Sequence, residues 1–231
     1  RAATRPAACI GESAHQAPQA GKSSSKFARL PVKIVFVDST AKHERYGGTG
    51  EHVILEGDLL QPAKPSETVL VFMHPSGIMN LLPMPMALAR AGLHVITCAC
   101  RYPNNDSCLI MEKVALDLGA VVRHAKSRLG YKKVVLCGWS GGGSLSAFYQ
   151  AQAERPSVTH TPAGDPVDLV AAQLPPADGL MLLAAHSSRA RILTEWMDPA
   201  VLDERDPSRR DGSLDVFALG GPKAPFSPDF V

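Results

Sequence analysis

From Thr68 onward the chain alternates two apolar signals. Continuous apolar runs of strand length (Thr68–Met73, His94–Cys100, Lys132–Cys137 and Gly179–His186) alternate with stretches whose apolar residues recur every three or four positions. The first signal predicts strands buried on both faces, as in a parallel sheet. The second predicts helices carrying one apolar stripe. Ile110, Val114, Leu118, Val121, Val122, Ala125 and Leu129 share one helical face, with Asp106 or Ser107 as the expected cap and Gly130 as the stop. A shorter helix is expected within Leu81–Gly92, starting near the prolines, and another over Ser144–Glu154, closed by Arg155-Pro156.

Upstream, Val32–Asp38 and the stretch EHVILEGDLLQP have the character of strands, and the intervening YGGTG turn predicts an antiparallel pair. Ser157–Pro176 contains four prolines and is expected to be a loop or a poorly packed excursion. Beyond Ser187, short helical pieces are expected between Pro199, Pro207 and a proline-rich end. Two hairpin strands followed by alternating strand and helix define an α/β fold, a mostly parallel sheet with helices on both faces. No internal repeat interrupts this order.

Residues 1–28 are expected to be a disordered tail: Arg1–Lys26 is rich in Ala, Ser, Pro, Gln and Gly and has no apolar period. Its only acid is Glu12, so a transit peptide is the alternative to a plain tail. Residues 29–186 form the expected core, and 187–231 resemble the start of a cap or insert region, truncated. The chain starts without methionine and stops at SPDFV, where a helix would begin. Both ends are therefore expected to be cut.

Composition narrows the function. With 24 basic and 22 acidic residues among 231, the net charge is +2, which offers no electrostatic case for nucleic acid or an anionic membrane surface. No apolar run is long enough to cross a bilayer. The five cysteines are scattered, and their mostly apolar surroundings predict buried free thiols in a reducing compartment, hence a cytoplasmic protein, or an organellar one if the tail is a transit peptide. Cys98 and Cys100 share a strand face but lack C-x-x-C spacing, so no metal site is expected and no cofactor is implied.

The chemistry concentrates in KKVVLCGWSGGGS. Gly138-Trp139-Ser140-Gly141-Gly142 lies between a buried strand and a helix, with no residue to spare. A serine on so sharp a turn takes a strained backbone, and the positions two before and two after it have no room for a Cβ. Gly138 and Gly142 fill those positions; Gly143 is expected to be slack at the helix start. The hydroxyl is carried above the carboxyl edge of the sheet, where open α/β sheets bind ligands and the following helix points its amino end.

With these residues the chain resembles the α/β-hydrolase superfamily, on the serine esterase and lipase side, over Val32–His186. GWSGGGS looks like that family's nucleophile elbow, accompanied by RYPNND and the HPSG loop. The resemblance implies Ser140 as nucleophile and an oxyanion hole made by the backbone N–H of Gly141 and that of Ser76 or Gly77. His74, Arg101 and His186 are candidates for the pocket wall, with Arg101 alternatively pairing with Asp106. The implied partner is a small ester-type substrate.

A serine needs a base, and the base an orienting acid. The family order is Ser, then Asp or Glu, then His. Only His160 and His186 follow Ser140, and no histidine follows the aspartates from Asp198 onward. Three expectations stand: a serine hydrolase whose acid and histidine lie beyond Val231, this piece being inactive; His186 or His160 as base, with Asp165, Asp168 or Asp178 nearby; or a non-catalytic binding module that keeps the elbow.

Overall fold

The computed structural model describes residues 26–42, 49–186, 188 and most of 198–228. Strand β1 (Phe27–Lys42) pairs antiparallel with β2 (Thr49–Pro62), and the ribbon is longer at both ends than the sequence pattern suggests. Then follow β3 (Thr68–Phe72), a 3-10 turn over Met79–Leu81, α1 (Pro83–Arg90), β4 (His94–Cys98), α2 (Met111–Ser127), β5 (Lys133–Trp139), α3 (Gly141–Glu154) and β6 (Gly179–Leu183). The spatial strand order is β1-β2-β4-β3-β5-β6. β2 meets β4 antiparallel; β4, β3, β5 and β6 run parallel.

Period-2 alternation sends side chains to two cores. Val69, Val71, Ile96, Val134 and Leu136 pack with α2 and α3, while Phe72, Val95 and Cys137 pack with the α1 side. In the ribbon, Ile34 opposite Leu55 is a buried pair, and Val35 opposite Ile54 is an exposed one. The helices therefore lie on both faces, as expected.

Several local expectations need correcting. Neither Asp106 nor Ser107 caps α2, whose N-cap is Ile110 without a side-chain bond; Asp106 closes a turn through its own carbonyl to Leu109 N–H. The proline-rich stretch 157–176 is a loop, as expected, but a well-packed one: Val167 and Leu169 are fully buried, and the Tyr149 hydroxyl donates to the Pro175 carbonyl at 2.5 Å. Prolines remove strand donors but do not prevent burial of the apolar residues between them. β6 is not buried on both faces: Leu180 and Leu182 are 41% and 54% exposed, because β6 is the edge strand of the described sheet. Over 198–228 the described residues form turns and one antiparallel bridge, Val201 with Arg210, where helical pieces were expected. The expected tail falls largely on residues 1–25, outside the described residues, and β1 already begins at Phe27.

Candidate active site

Strand β5 runs through Trp139 and α3 starts at Gly141, so Ser140 is the entire connection. Its backbone sits at φ 52°, ψ −123°, a region that L-residues avoid and that persists only where surroundings enforce it. Those surroundings are visible. Ser140 N–H donates to Leu183 C=O at 3.1 Å, and Ser140 C=O accepts from the N–H groups of His186 and Gly143, both at 3.0 Å. The end of β6 thus grips the turn from one side.

The glycines hold it from the other sides. A Cβ on Gly138 would lie 2.5 Å from Gly143 Cα, and one on Gly142 would lie 2.6 Å from the Met73 carbonyl oxygen. Both contacts are with backbone, so neither can relax cheaply. Gly143 is not slack: its Cβ would sit 2.2 Å from that of Ala185. Gly141 has a steric role as well, since a Cβ there would lie 2.9 Å from His74 Nε2.

This last contact brings the HPSG loop against the elbow. The loop after β3 is held in three ways. His74 Nδ1 accepts from Gly77 N–H at 2.8 Å and from Ser76 N–H at 3.2 Å. The Cys100 thiol donates to Pro75 C=O at 2.7 Å, and Asn104 N–H donates to Ser76 C=O at 2.7 Å. Asn104 reaches it from the left-handed region, at φ 56°. In this arrangement the N–H groups of Ser76 and Gly77, the two candidates for the second oxyanion donor, are both directed to the His74 ring. As acceptor, Nδ1 carries no proton. The N–H of Gly141, first residue of α3, has no acceptor within its helix and lies beside this loop. His74 also faces Trp139, with ring centroids 6.2 Å apart.

Arg101 is held by the carboxylates of Asp38 and Asp117. It is 8% exposed, and its Nη1 binds Asp38 Oδ2 at 2.7 Å while Nε and Nη2 bind Asp117 Oδ1 at 3.0 and 2.7 Å. Asp117 Oδ2 accepts from Arg101 N–H at 2.9 Å. Burial pushes the Asp117 carboxyl up, with Arg101 opposing that shift. The triad fastens β1, the end of β4 and α2 behind the site. Two cavities of about 620 and 300 Å³ open near Arg101 and Arg123, and Ser140 lines neither.

The candidate acids between His160 and His186 are engaged elsewhere. Asp165 binds the Thr161 hydroxyl, Asp168 caps a turn at Ala171 N–H, and Asp178 binds Val134 N–H. Val134 is the second residue of β5 and Ser140 follows the strand's far end, so Asp178 lies at the opposite end of the strand, roughly 20 Å away at about 3.3 Å per residue. His160 is exposed and pairs with Thr159. His186 alone of the two later histidines is brought beside Ser140, through its backbone. Sequence reasoning missed Cys100, Asn104 and Asp117 as supports, because each acts through a contact distant in the chain.

Antiparallel entry strands, a parallel run of β4, β3, β5 and β6 and a strained serine between β5 and α3 make the arrangement expected above, and the structure adds the strand order β1-β2-β4-β3-β5-β6. This is an α/β-hydrolase fold. No protein-family model and no curated protein matches the sequence. Among solved structures, the chain is similar to brefeldin A esterase, a bacterial homologue of human hormone-sensitive lipase, at 20% identity and a TM-score of 0.46, covering 87% of this chain and 51% of that one. It is similar to esterase Est22 at 14% identity and a TM-score of 0.44, covering 71% and 46%. Candida antarctica lipase A matches at 16% identity and a TM-score of 0.34, covering 58% and 35%. The chain thus spans about half the length of the two esterases. Among the described residues, no helix is long and apolar enough to cross a membrane.

Proposed function

We propose that Ser140 is the nucleophile of a serine hydrolase that cleaves a carboxylic ester through an acyl-serine intermediate. A thioester or amide would follow the same route. The observation carrying this reading is the Ser140 backbone at φ 52°, ψ −123°, enforced by glycines on both sides. A plain turn gains nothing from such strain, whereas a nucleophile held clear of the sheet edge does. The hydroxyl attacks the acyl carbon, its proton passes to a base, and the alcohol departs; water then releases the acid. Gly141 N–H is the first oxyanion donor, and the HPSG loop contributes the second when substrate competes with His74 for Ser76 or Gly77 N–H.

Fluorophosphonate labelling tests this reading. Wild-type protein should be labelled at Ser140 and Ser140→Ala should not. Equal labelling of both would remove Ser140 as nucleophile.

The second reading is a binding module that keeps the elbow. The commitment of Ser76 and Gly77 N–H to His74 favours it, because a hole so filled is not poised for catalysis. Binding of an ester analogue without labelling or turnover would support that alternative.

A further inference from the structure

Two buried oxygens on the α1 side of the sheet have no hydrogen-bond partner among the described residues: Thr97 Oγ1 on β4 and Asn80 Oδ1 on the 3-10 turn. Thr97 is 1% exposed. Buried polar atoms without partners cost stability and are rare in native proteins, so each calls for an explanation. Both residues line the same small cavity, of about 20 Å³, together with Gly57 and Met79. A cavity of roughly 10–15 Å³ on this measure holds one water, and a water needs at least two polar partners. Size and chemistry therefore agree.

We infer that this cavity is a binding site for one ordered water molecule, bridging Thr97 Oγ1 and Asn80 Oδ1. The amide oxygen only accepts, so the water donates to Asn80; the threonine hydroxyl donates or accepts at the other end. The site has an entrance. It shares Glu56, Gly57, Ile78, Asn80 and Ala99 with the 620 Å³ cavity above it. Gly57 permits the close approach of β2 and β4 at its wall, since a Cβ there would lie 2.0 Å from the Thr97 carbonyl oxygen. The water ties β4 to the turn that follows the HPSG loop, and so anchors that loop from behind.

The sign of a stability change tests the site. Thr97→Val keeps the shape and deletes the hydroxyl. With a bridging water the variant strands a hydrogen-bonded solvent molecule, and Tm falls. Asn80→Leu lowers Tm too, and the double variant falls by less than the two single shifts added, because both act through one water. If the hydroxyl is orphaned, removing it raises Tm or leaves it unchanged, and the inference is overturned. A crystal structure of the wild-type protein provides the second measurement if a variant does not fold. A single peak about 2.7–3.2 Å from both oxygens supports the site. An empty cavity overturns it, as does a peak ringed by five or more oxygens near 2.4 Å, the pattern of a cation.

Discussion

His74 Nδ1 stands 2.8 Å from the backbone nitrogen of Gly77 and accepts its hydrogen, so the side chain that opens the HPSG loop also shapes it. The ring supplies a local acceptor for backbone donors that neither a helix nor a strand satisfies. Replacing it frees the loop. His74→Phe removes the acceptor that competes with substrate for the Ser76 and Gly77 N–H groups, and is expected to raise the rate of fluorophosphonate labelling at Ser140 by about fivefold, the equivalent of one net hydrogen bond of about 1 kcal/mol. Circular dichroism should show an intact fold. Unchanged or slower labelling would mean that the imidazole does not hold these donors from the site.

The glycine contacts predict a ranked series. Gly142→Ala and Gly138→Ala press a methyl group on backbone at 2.6 and 2.5 Å and should each destabilise by about 2–3 kcal/mol in urea unfolding. At Gly212 nothing lies within 4 Å of the position a Cβ would take, and Gly212→Ala should stay within about 0.5 kcal/mol of wild type.

Arg101→Met leaves the carboxylates of Asp38 and Asp117 buried without their cation. Breaking a buried pair in this way typically costs about 3–5 kcal/mol. The urea midpoint should fall accordingly, and adding Asp117→Asn should recover part of the loss, since one stranded charge is then removed.

Asp178 gives a pH signature. Its carboxyl is held below the ordinary carboxylate range, first by the Val134 N–H and further by Lys126. A depressed folded-state pKa contributes stability that is present above the unfolded value, near 3.9, and is lost as pH falls through the lower folded value. Asp178→Asn should therefore flatten the stability profile below about pH 4 relative to wild type, as read from Tm against pH. The side chain is about one-third exposed, which keeps the effect modest.

Thiol reactivity should divide the cysteines. Burial pushes the Cys98 and Cys137 thiols up to about 12 and that of Cys100 to about 11, while Cys108 is exposed. Iodoacetamide at pH 8, followed by peptide mass spectrometry, should modify Cys108 quickly and leave the other three intact in folded protein. The expectation of buried thiols thus fails at Cys108, which lies in the exposed turn just after RYPNND, and Cys9 lies outside the described residues.

Much of the molecule was legible in one dimension because its signals are local. Apolar runs marked β3, β4 and β5, helical spacing marked α2, and the crowded glycines around Ser140 marked the turn that carries the strain. Each depends on neighbours within one element. The amino-acid sequence by itself determined the α/β class, the order of elements and the place of the candidate nucleophile. Tertiary structure decided what long-range contacts control. It drew Arg101, which also lines the 620 Å³ cavity, into a buried triad with Asp117 and with Asp38, 63 residues away. It set Gly143 against Ala185 and turned the Ser76 and Gly77 donors toward His74. The physical reason is that a sheet of order β1-β2-β4-β3-β5-β6 juxtaposes strand ends remote in the chain, and no periodicity records which side chains meet there.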